Sequence, residues 1–473
     1  MKVILRFALL VFPLLVSAQD AVIFSNDKYS GISGVGFSPT QPFFNPNSWD
    51  VNIVAEDIFI QNDYTYISNQ SIIGLTKNAD IKSVSLKDNV MGISGSNLQD
   101  YYNKNKGTYH FSSDVLGPSV SWSADINQQK YTFGIFTRVR TQGSAIDIDN
   151  YARLNNSNTD AIYLYNFRPF KTNFMNWGEV GVNVATQIFQ NKDERLVLGG
   201  NLKYEIGYDA MNINSRKTAN LRRTVNGTNL STDTEMSNYG IEASYATAYD
   251  PINKKYDFKP NGKGLGADVG LTYVKWNYRM QDYDLKVSFN ILDIGYINYK
   301  GENHRFNGRP FDVNSLSGKK INSPQDFFRT VSQEIYGNPN ASLTGTNFSI
   351  GLPTSIHINA SKRIMDNHYL NFDLVQRAPV FENSLRRSNI ANVSYSVQKK
   401  IIGYGASVSL YEFRALQCGA YLRLAPIIIG SENFFPLFFK QDKLHSADIY
   451  IGIKIYPFSE KNPDRIRRSS CRC

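Results

Sequence analysis

Five histidines, three cysteines and a scatter of carboxylates are the residues of this 473-residue chain with chemistry to offer. His110, His304, His357, His368 and His445 include no i,i+4 pair around a glutamate, the spacing that holds a catalytic zinc on a helix. Cys418 stands alone and Cys471 and Cys473 sit in the last three residues, so neither a zinc quartet nor a disulfide framework can be assembled. There is no Gly-x-Ser-x-Gly elbow, no phosphate loop and no Ser/His pair that can be nominated. No catalytic residue, metal or cofactor is therefore expected, and the chain reads as a non-enzyme. His357, alone on the polar side of a strand, is expected to be a hydrogen-bonded residue and not a ligand.

The remaining candidate chemistry is electrostatic. Arg138, Arg140, Lys203, Glu205, Asp268, Lys286, Arg363, Asp373, Arg423, Asp448 and Lys454 sit on the polar sides of segments whose other side is apolar. If the apolar sides meet lipid, these charges point inward, because a charge facing the bilayer centre costs about 2 to 4 kcal/mol. Two outcomes are open. The charges pair across an interior or hydrate near its ends, or they form a slightly basic lining that selects an anionic or amphipathic solute. The net charge of +10, from 51 Lys+Arg against 41 Asp+Glu, is a mild bias over this length. Nucleic acid is not expected as a partner, since the aromatics interleave with aliphatics instead of lining a basic groove.

The elements that must position these residues are strands. Ala391, Val393, Tyr395 and Val397 alternate with Asn392, Ser394, Ser396 and Gln398, and the next run, Ile402 to Tyr411, repeats the pattern after Lys399-Lys400-Ile401. Runs at 120–126, 196–206, 285–291, 416–424 and 447–456 do the same, each about ten residues, the length of a tilted strand crossing a bilayer. The polar side carries Gly, Ser, Asn and Tyr, which suit a confined interior better than the Lys/Glu/Thr exterior of a soluble sandwich. Cys418 reads as a small apolar wall residue. Aromatics near strand ends (Trp49, Trp122, Tyr131, Trp177, Tyr278, Tyr369, Tyr411, Tyr456, Phe458) are expected at the two membrane-water boundaries. An open sheet edge in hydrocarbon would strand backbone donors and acceptors, so the sheet must close.

The fold class expected is all-β: a single transmembrane antiparallel β-barrel of about 14 strands, 14 to 16 fitting the segments, with an N-terminal plug-like segment and one short loop helix. Tight connections are expected at 61–63, 127–130, 191–194, 279–282, 366–367 and 399–400. Long ones are expected near 76–117, 141–176, 212–235, 301–353, 377–389 and 426–446, with the 250–263 connection breaking the alternation. The helix is read from Ser323 as N-cap, Pro324 in the first turn and the stripe Phe327, Val331, Ile335.

Four segments follow. Residues 1–18 read as a secretory leader, with Lys2 and Arg6 before an apolar run and cleavage after Ala18. Residues 19–47, rich in Gly and Pro, fit no wall strand and read as a lumen plug or a periplasmic lead-in. Residues 48–458 make the barrel, and 459–473 a basic tail carrying Arg465, Arg467, Arg468 and Arg472 that suits anionic headgroups or a periplasmic partner.

The stretch Lys263-Gly264-Leu265-Gly266-Ala267-Asp268-Val269-Gly270-Leu271-Thr272-Tyr273 resembles the Gly-x-Gly-x-Asp-Leu-Gly-x-x-Tyr strand start of Bacteroidota outer-membrane barrels related in shape to the long-chain fatty-acid channels. Leu292-Asp293-Ile294-Gly295, Leu352-Pro353-Thr354 and Asp448-Ile449-Tyr450-Ile451-Gly452 are similar to later motifs of an uncharacterised family of that group. The resemblance covers about residues 30 to 458 and rests on structural positions, Gly264, Gly266, Asp268 and Gly270 among them. It implies a barrel of about 14 strands with an N-terminal segment in the lumen, and it implies no chemistry. The chain departs from the usual ending of such barrels, since residues 459–473 follow the terminal aromatics.

The expected location is the outer membrane, in contact with its lipid, and the expected function is a transport channel for a small hydrophobic or anionic solute. The alternatives are a non-conducting structural or assembly partner in an outer-membrane secretion or gliding complex, and a surface ligand-binding protein.

Overall fold

The computed structural model describes residues 22–77, 82–83, 98–101, 107–148, 162–226, 231–250, 253, 255–277, 279–316 and 318–457. The expected leader, residues 19–21, the basic tail with Cys471 and Cys473, Tyr278 and Phe458 lie outside the described residues.

One sheet holds seventeen strands. In chain order they are β1 (Trp49–Asn62), β2 (Gly107–Leu116), β3 (Ser119–Ile126), β4 (Gln129–Ile148), β5 (Phe170–Gln190), β6 (Glu194–Ser215), β7 (Gly240–Ala246), β8 (Gly262–Asn277) and β9 (Asp282–Asn307). There follow β10 (Leu343–Gly351), β11 (Ser355–Met365), β12 (His368–Arg377), β13 (Ile390–Gln398), β14 (Ile402–Tyr411), β15 (Ala415–Leu424), β16 (Ile427–Ser431) and β17 (Ser446–Ile455). Three wall positions are shared end to end. β2 and β3 lie between β1 and β4, β7 and β8 between β6 and β9, and β10 and β11 both pair with β9. The wall is therefore a ring of 14 positions. β17 returns to β1 in an antiparallel ladder from Val51↔Ile455 to Gln61↔Ser446, so the first and last strands satisfy each other's backbone groups.

Alternation decides which side is which. On β6, Leu202 and Tyr204 are 60% and 50% exposed while Lys203 and Glu205 are buried. On β17, Ile451, Ile453 and Ile455 point out while Tyr450, Gly452 and Lys454 point in. A ring that is apolar outside and polar inside inverts the arrangement of a water-soluble protein and suits lipid. The chain is a transmembrane antiparallel β-barrel. β9 has 26 residues and β6 has 22, against the roughly ten that crossing requires, so this side of the wall stands well beyond a bilayer.

The turns at 127–128, 191–193, 366–367, 399–401 and 425–426 lie at one end of the ring, and the long connections at the other. The corner at 61–63 does not belong to the short series. It opens the long-loop end, where Thr65–Gln70 joins a four-stranded sheet with Leu98–Tyr101 and Gln441–Leu444. The Asn62 carboxamide oxygen accepts from the Tyr64 and Thr65 amides at 3.1 and 2.6 Å, a local turn that looks the same in sequence at either end. The stretch 426–446 is not one loop either, since it contains β16. The break near 250–263 has its cause in β7, which fills the gap between β6 and β9 beyond the end of β8 and adds a strand without adding a wall position.

Four short α-helices occur among the described residues: α1 (Val22–Ser25), α2 (Ile72–Lys77), α3 (Pro324–Tyr336) and α4 (Phe435–Phe438). α3 is the expected loop helix. Its Ser323 side chain accepts from the Asp326 amide at 3.0 Å, and Gly337 ends it with φ 73°. The buried stripe is Phe328, Ser332 and Ile335, with Phe327 and Val331 only partly buried, so the expected stripe is rotated by about one residue. The rotation lets Phe328 stack on Tyr245 and His304, with centroids at 5.2 and 5.1 Å.

Trp49 and Trp122 face outward as expected, but Trp177, Tyr369, Tyr411 and Tyr456 are buried inside. Their polar neighbours explain it. The Arg140 guanidinium lies 4.9 Å from the Trp177 ring, and the Tyr456 hydroxyl donates to the Lys400 carbonyl at 2.7 Å.

Candidate functional site

Residues 22–47 pack against the inward side of the wall as α1 followed by two 3-10 turns at Gly31–Gly34 and Gln41–Phe44. Proline and glycine keep this stretch from extending as a strand, and its polar atoms find partners on the ring instead. Ile23, Asp27, Ser30, Ile32 and Thr40 are all fully buried.

The contacts run along the whole segment. The Ile23 amide donates to Glu432 at 2.8 Å. Asn26 donates to Asp373 at 2.6 Å and accepts from Asn359 at 2.8 Å. Asp27 accepts from Arg423 Nε at 3.0 Å and from the Tyr421 hydroxyl at 3.0 Å. The Lys28 ammonium lies 2.7 Å from Asp282. The Ser30 carbonyl accepts from Lys454, which also pairs with Asp50. His357 bridges the Phe37 carbonyl at 2.9 Å and Asp373 at 3.0 Å. Asn183 donates to the Pro39 carbonyl at 2.8 Å, Lys286 to Gln41 at 3.1 Å, and Lys130 to the Phe43 carbonyl at 2.8 Å. A Cβ at Gly199 would stand 2.7 Å from the Pro39 oxygen and 2.9 Å from the Thr40 nitrogen, so the bare backbone there is what admits the segment.

Beside the segment lies a second knot of charge. Arg140 pairs bidentately with Asp293 at 2.9 and 3.1 Å. Lys203 reaches Asp268 at 2.9 Å and Asp293 at 2.6 Å. Arg138 holds Asp114 and lies 3.5 Å from Glu179. Pairing of this kind offsets the cost of burying each ion, although both Glu179 oxygens lie at ion-pair distance without a hydrogen bond.

Of the inward charges named from sequence, Arg138, Arg140, Lys203, Glu205 and Asp268 come together in this knot, though both Glu205 oxygens lack a hydrogen bond. Lys286, Asp373, Arg423 and Lys454 touch the segment directly. Asp448 accepts from the Glu432 amide at 2.5 Å, beside the segment's start. Arg363 stands apart, paired with Asp284 at the short-turn rim. In the motif, Gly270 lets Pro39 approach, a Cβ there standing 3.0 Å from Pro39 Cδ, while Gly264 and Gly266 face the Tyr296 backbone and Glu205.

Asp27, Asp50, Asp57, Asp114, Glu179 and Asp293 were not identified from sequence. Two were hidden by breaks in the period of two. Strict alternation from Asn290 and Leu292 sends Asp293 outward, but its φ of 55° turns it in. A register shift between Asn52 and Val54 likewise puts Asp57 on the inner side with Phe59 and Gln61. Asp293 had one signal, its place in the Leu292-Asp293-Ile294-Gly295 motif.

Residues 42–432 match the model of a family described as a family of unknown function (DUF5723). No curated protein sequence matches the chain. Among solved structures, it is similar to the monoaromatic hydrocarbon channel CymD, at 8% identity and TM-score 0.29 over 90% of this chain and 96% of that one. A Pseudomonas aeruginosa FadL homologue gives 8% and 0.22 over 90% and 94%. The Escherichia coli outer membrane protease OmpT gives 7% and 0.23 over 86% and 96%.

Proposed function

The chain belongs to the family of unknown function (DUF5723), and we propose that it is an outer-membrane transport barrel whose N-terminal segment acts as a removable plug, here in the closed state. The division into leader 1–18, plug 19–47, barrel 48–458 and basic tail 459–473 is part of this reading. The observation that carries it is the seat of residues 22–47, buried against the ring and held by polar bonds to strands around it.

Ring size is the first support. Eight strands leave room only for side chains, whereas sixteen to eighteen leave an aqueous channel. Fourteen lie between, and the space is filled by a separate stretch of chain joined to β1 only through 45–48. The second support is the chemistry of the seat. Ile23, Ile32 and Phe43 pack on apolar wall residues, but the hydrogen bonds and ion pairs along the rest of the segment can be exchanged for water on release. With the segment withdrawn, Arg423, Lys286 and Lys130 lose its acceptors while Asp282, Asp373 and Glu432 lose its donors, so the opened lumen presents both signs of charge to a small polar solute.

The test is conductance in planar bilayers for the full chain and for a variant lacking residues 22–44 behind the same leader. The full chain should conduct little, and the deletion at least about tenfold more for chloride. A deletion variant that still shows heat-modifiable gel migration yet conducts no better than the full chain would overturn the proposal.

A further inference from the structure

One cavity of about 80 Å³ lies between the segment and the wall. Phe24, Val35 and Phe37 bound it from the segment, and Leu116, Ile428 and Tyr450 from the wall. Two polar groups on its lining have nothing to bind. Both carboxylate oxygens of Asp57 and the hydroxyl of Tyr450 are buried without a hydrogen bond, although Asp57 is only 8% exposed. The other two carboxylates on the lining are engaged, Glu56 elsewhere and Asp114 by Arg138, which also borders the cavity. Asp448 and Glu432 each keep one buried oxygen without a partner and add to the negative field at Asp57.

A carboxylate beside apolar walls is costly unless a donor or a cation meets it, and without one the acid keeps its proton, so a cation that binds there draws Asp57 into its ionised form. The described residues contain no group of three side chains placed to hold a metal ion. The apolar walls suit an organic ion better in any case. We propose that this cavity binds a small primary alkylammonium. Its NH3+ group donates to Asp57 and to the Tyr450 oxygen, and its alkyl chain lies against Phe24, Val35, Leu116 and Ile428. The volume is about half of the roughly 150 Å³ cavity that admits the six carbons of benzene, which limits the occupant to about three heavy atoms, the size of ethylammonium. Six of the sixteen residues lining the cavity belong to the segment, so an occupant stabilises the segment in its seat. The site stands on the seated segment alone and holds whether or not the barrel conducts.

Calorimetric titration of the purified full chain with ethylammonium chloride tests this, with ethanol and sodium acetate as neutral and anionic probes of similar size. Saturable binding of ethylammonium is expected. It should weaken at least about tenfold in Asp57→Asn, because a charge-assisted hydrogen bond becomes a neutral one. Val35→Phe, which fills the cavity and leaves the carboxylate intact, should abolish it. Heat-modifiable migration checks that each variant is folded, and the Val35→Phe arm keeps the test decisive if Asp57→Asn does not fold. Absence of binding to the unaltered chain overturns the proposal, as does ethanol binding equally well or binding that neither substitution changes.

Discussion

The Arg423 guanidinium and the Asp27 carboxylate, 396 positions apart in sequence, meet at 3.0 Å with neither open to solvent. This pair ties the N-terminal segment to β15, and its disruption is the most direct way to loosen the segment. Removing one partner of a buried pair costs about 3 to 5 kcal/mol because the other charge is left uncompensated. Asp27→Asn and Arg423→Met should each make Lys28 accessible to trypsin in the folded barrel, and the double variant should recover part of the resistance. Single variants as resistant as the unaltered chain would show that the pair does not hold the segment.

Gly199 offers a route that changes no charge. Gly199→Val places carbon within 3 Å of the Pro39 and Thr40 backbone, so either β6 or the segment must shift. Cleavage at Lys28 and bilayer conductance should both rise. Neither rises if the segment has room to move aside within its seat.

Leu202 lies on the outer face of β6 and is 60% exposed. Leu202→Arg should destabilise the barrel by about 2 to 4 kcal/mol if that face meets the middle of a bilayer. The same change on a water-facing surface stays within about 0.5 kcal/mol. Urea unfolding in lipid vesicles separates the two, and a shift of the smaller size would place water, not acyl chains, against Leu202.

His304 stands on the part of β9 that rises beyond a bilayer, packed on Phe328 of α3, near Glu302 and Arg329. Burial holds its imidazole below the ordinary value of 6.5, partly opposed by Glu302. The undocked loop therefore binds a proton that the docked one refuses. Docking of α3 is at full strength above about pH 6.5, weakens as the pH drops through that value, and levels off below the docked value. Hydrogen exchange of the α3 amides should speed up on acidification in the unaltered chain, and the slope should vanish in His304→Asn. A pH-independent exchange rate in the unaltered chain would remove His304 from the docking of α3.

The ring was legible because alternation is local: each strand of the wall must show lipid one face and the interior the other, and Lys286, Ser288 and Asn290 on β9 do so without error. The helix at Pro324–Tyr336 was legible for a similar reason, as Ser323 and Pro324 announce its start. What failed were places where backbone geometry breaks a period. Asp293 and Asp57 lie beyond such breaks, whereas Trp177 and Tyr369 share the inward phase of Glu179 and Asp373, a signal that their aromatic character near strand ends obscured.

Sequence alone determined that this chain closes its strands into an apolar-faced wall and that its charges turn away from lipid, because one misplaced ion in hydrocarbon outweighs any local preference. Tertiary structure alone decided where those charges end: Arg423 on Asp27, Lys203 on Asp268 and Asp293, and Asp57 on none of the described residues. Partnership across an interior depends on ring circumference, register and the path of residues 22–47, distances that no stretch of sequence contains.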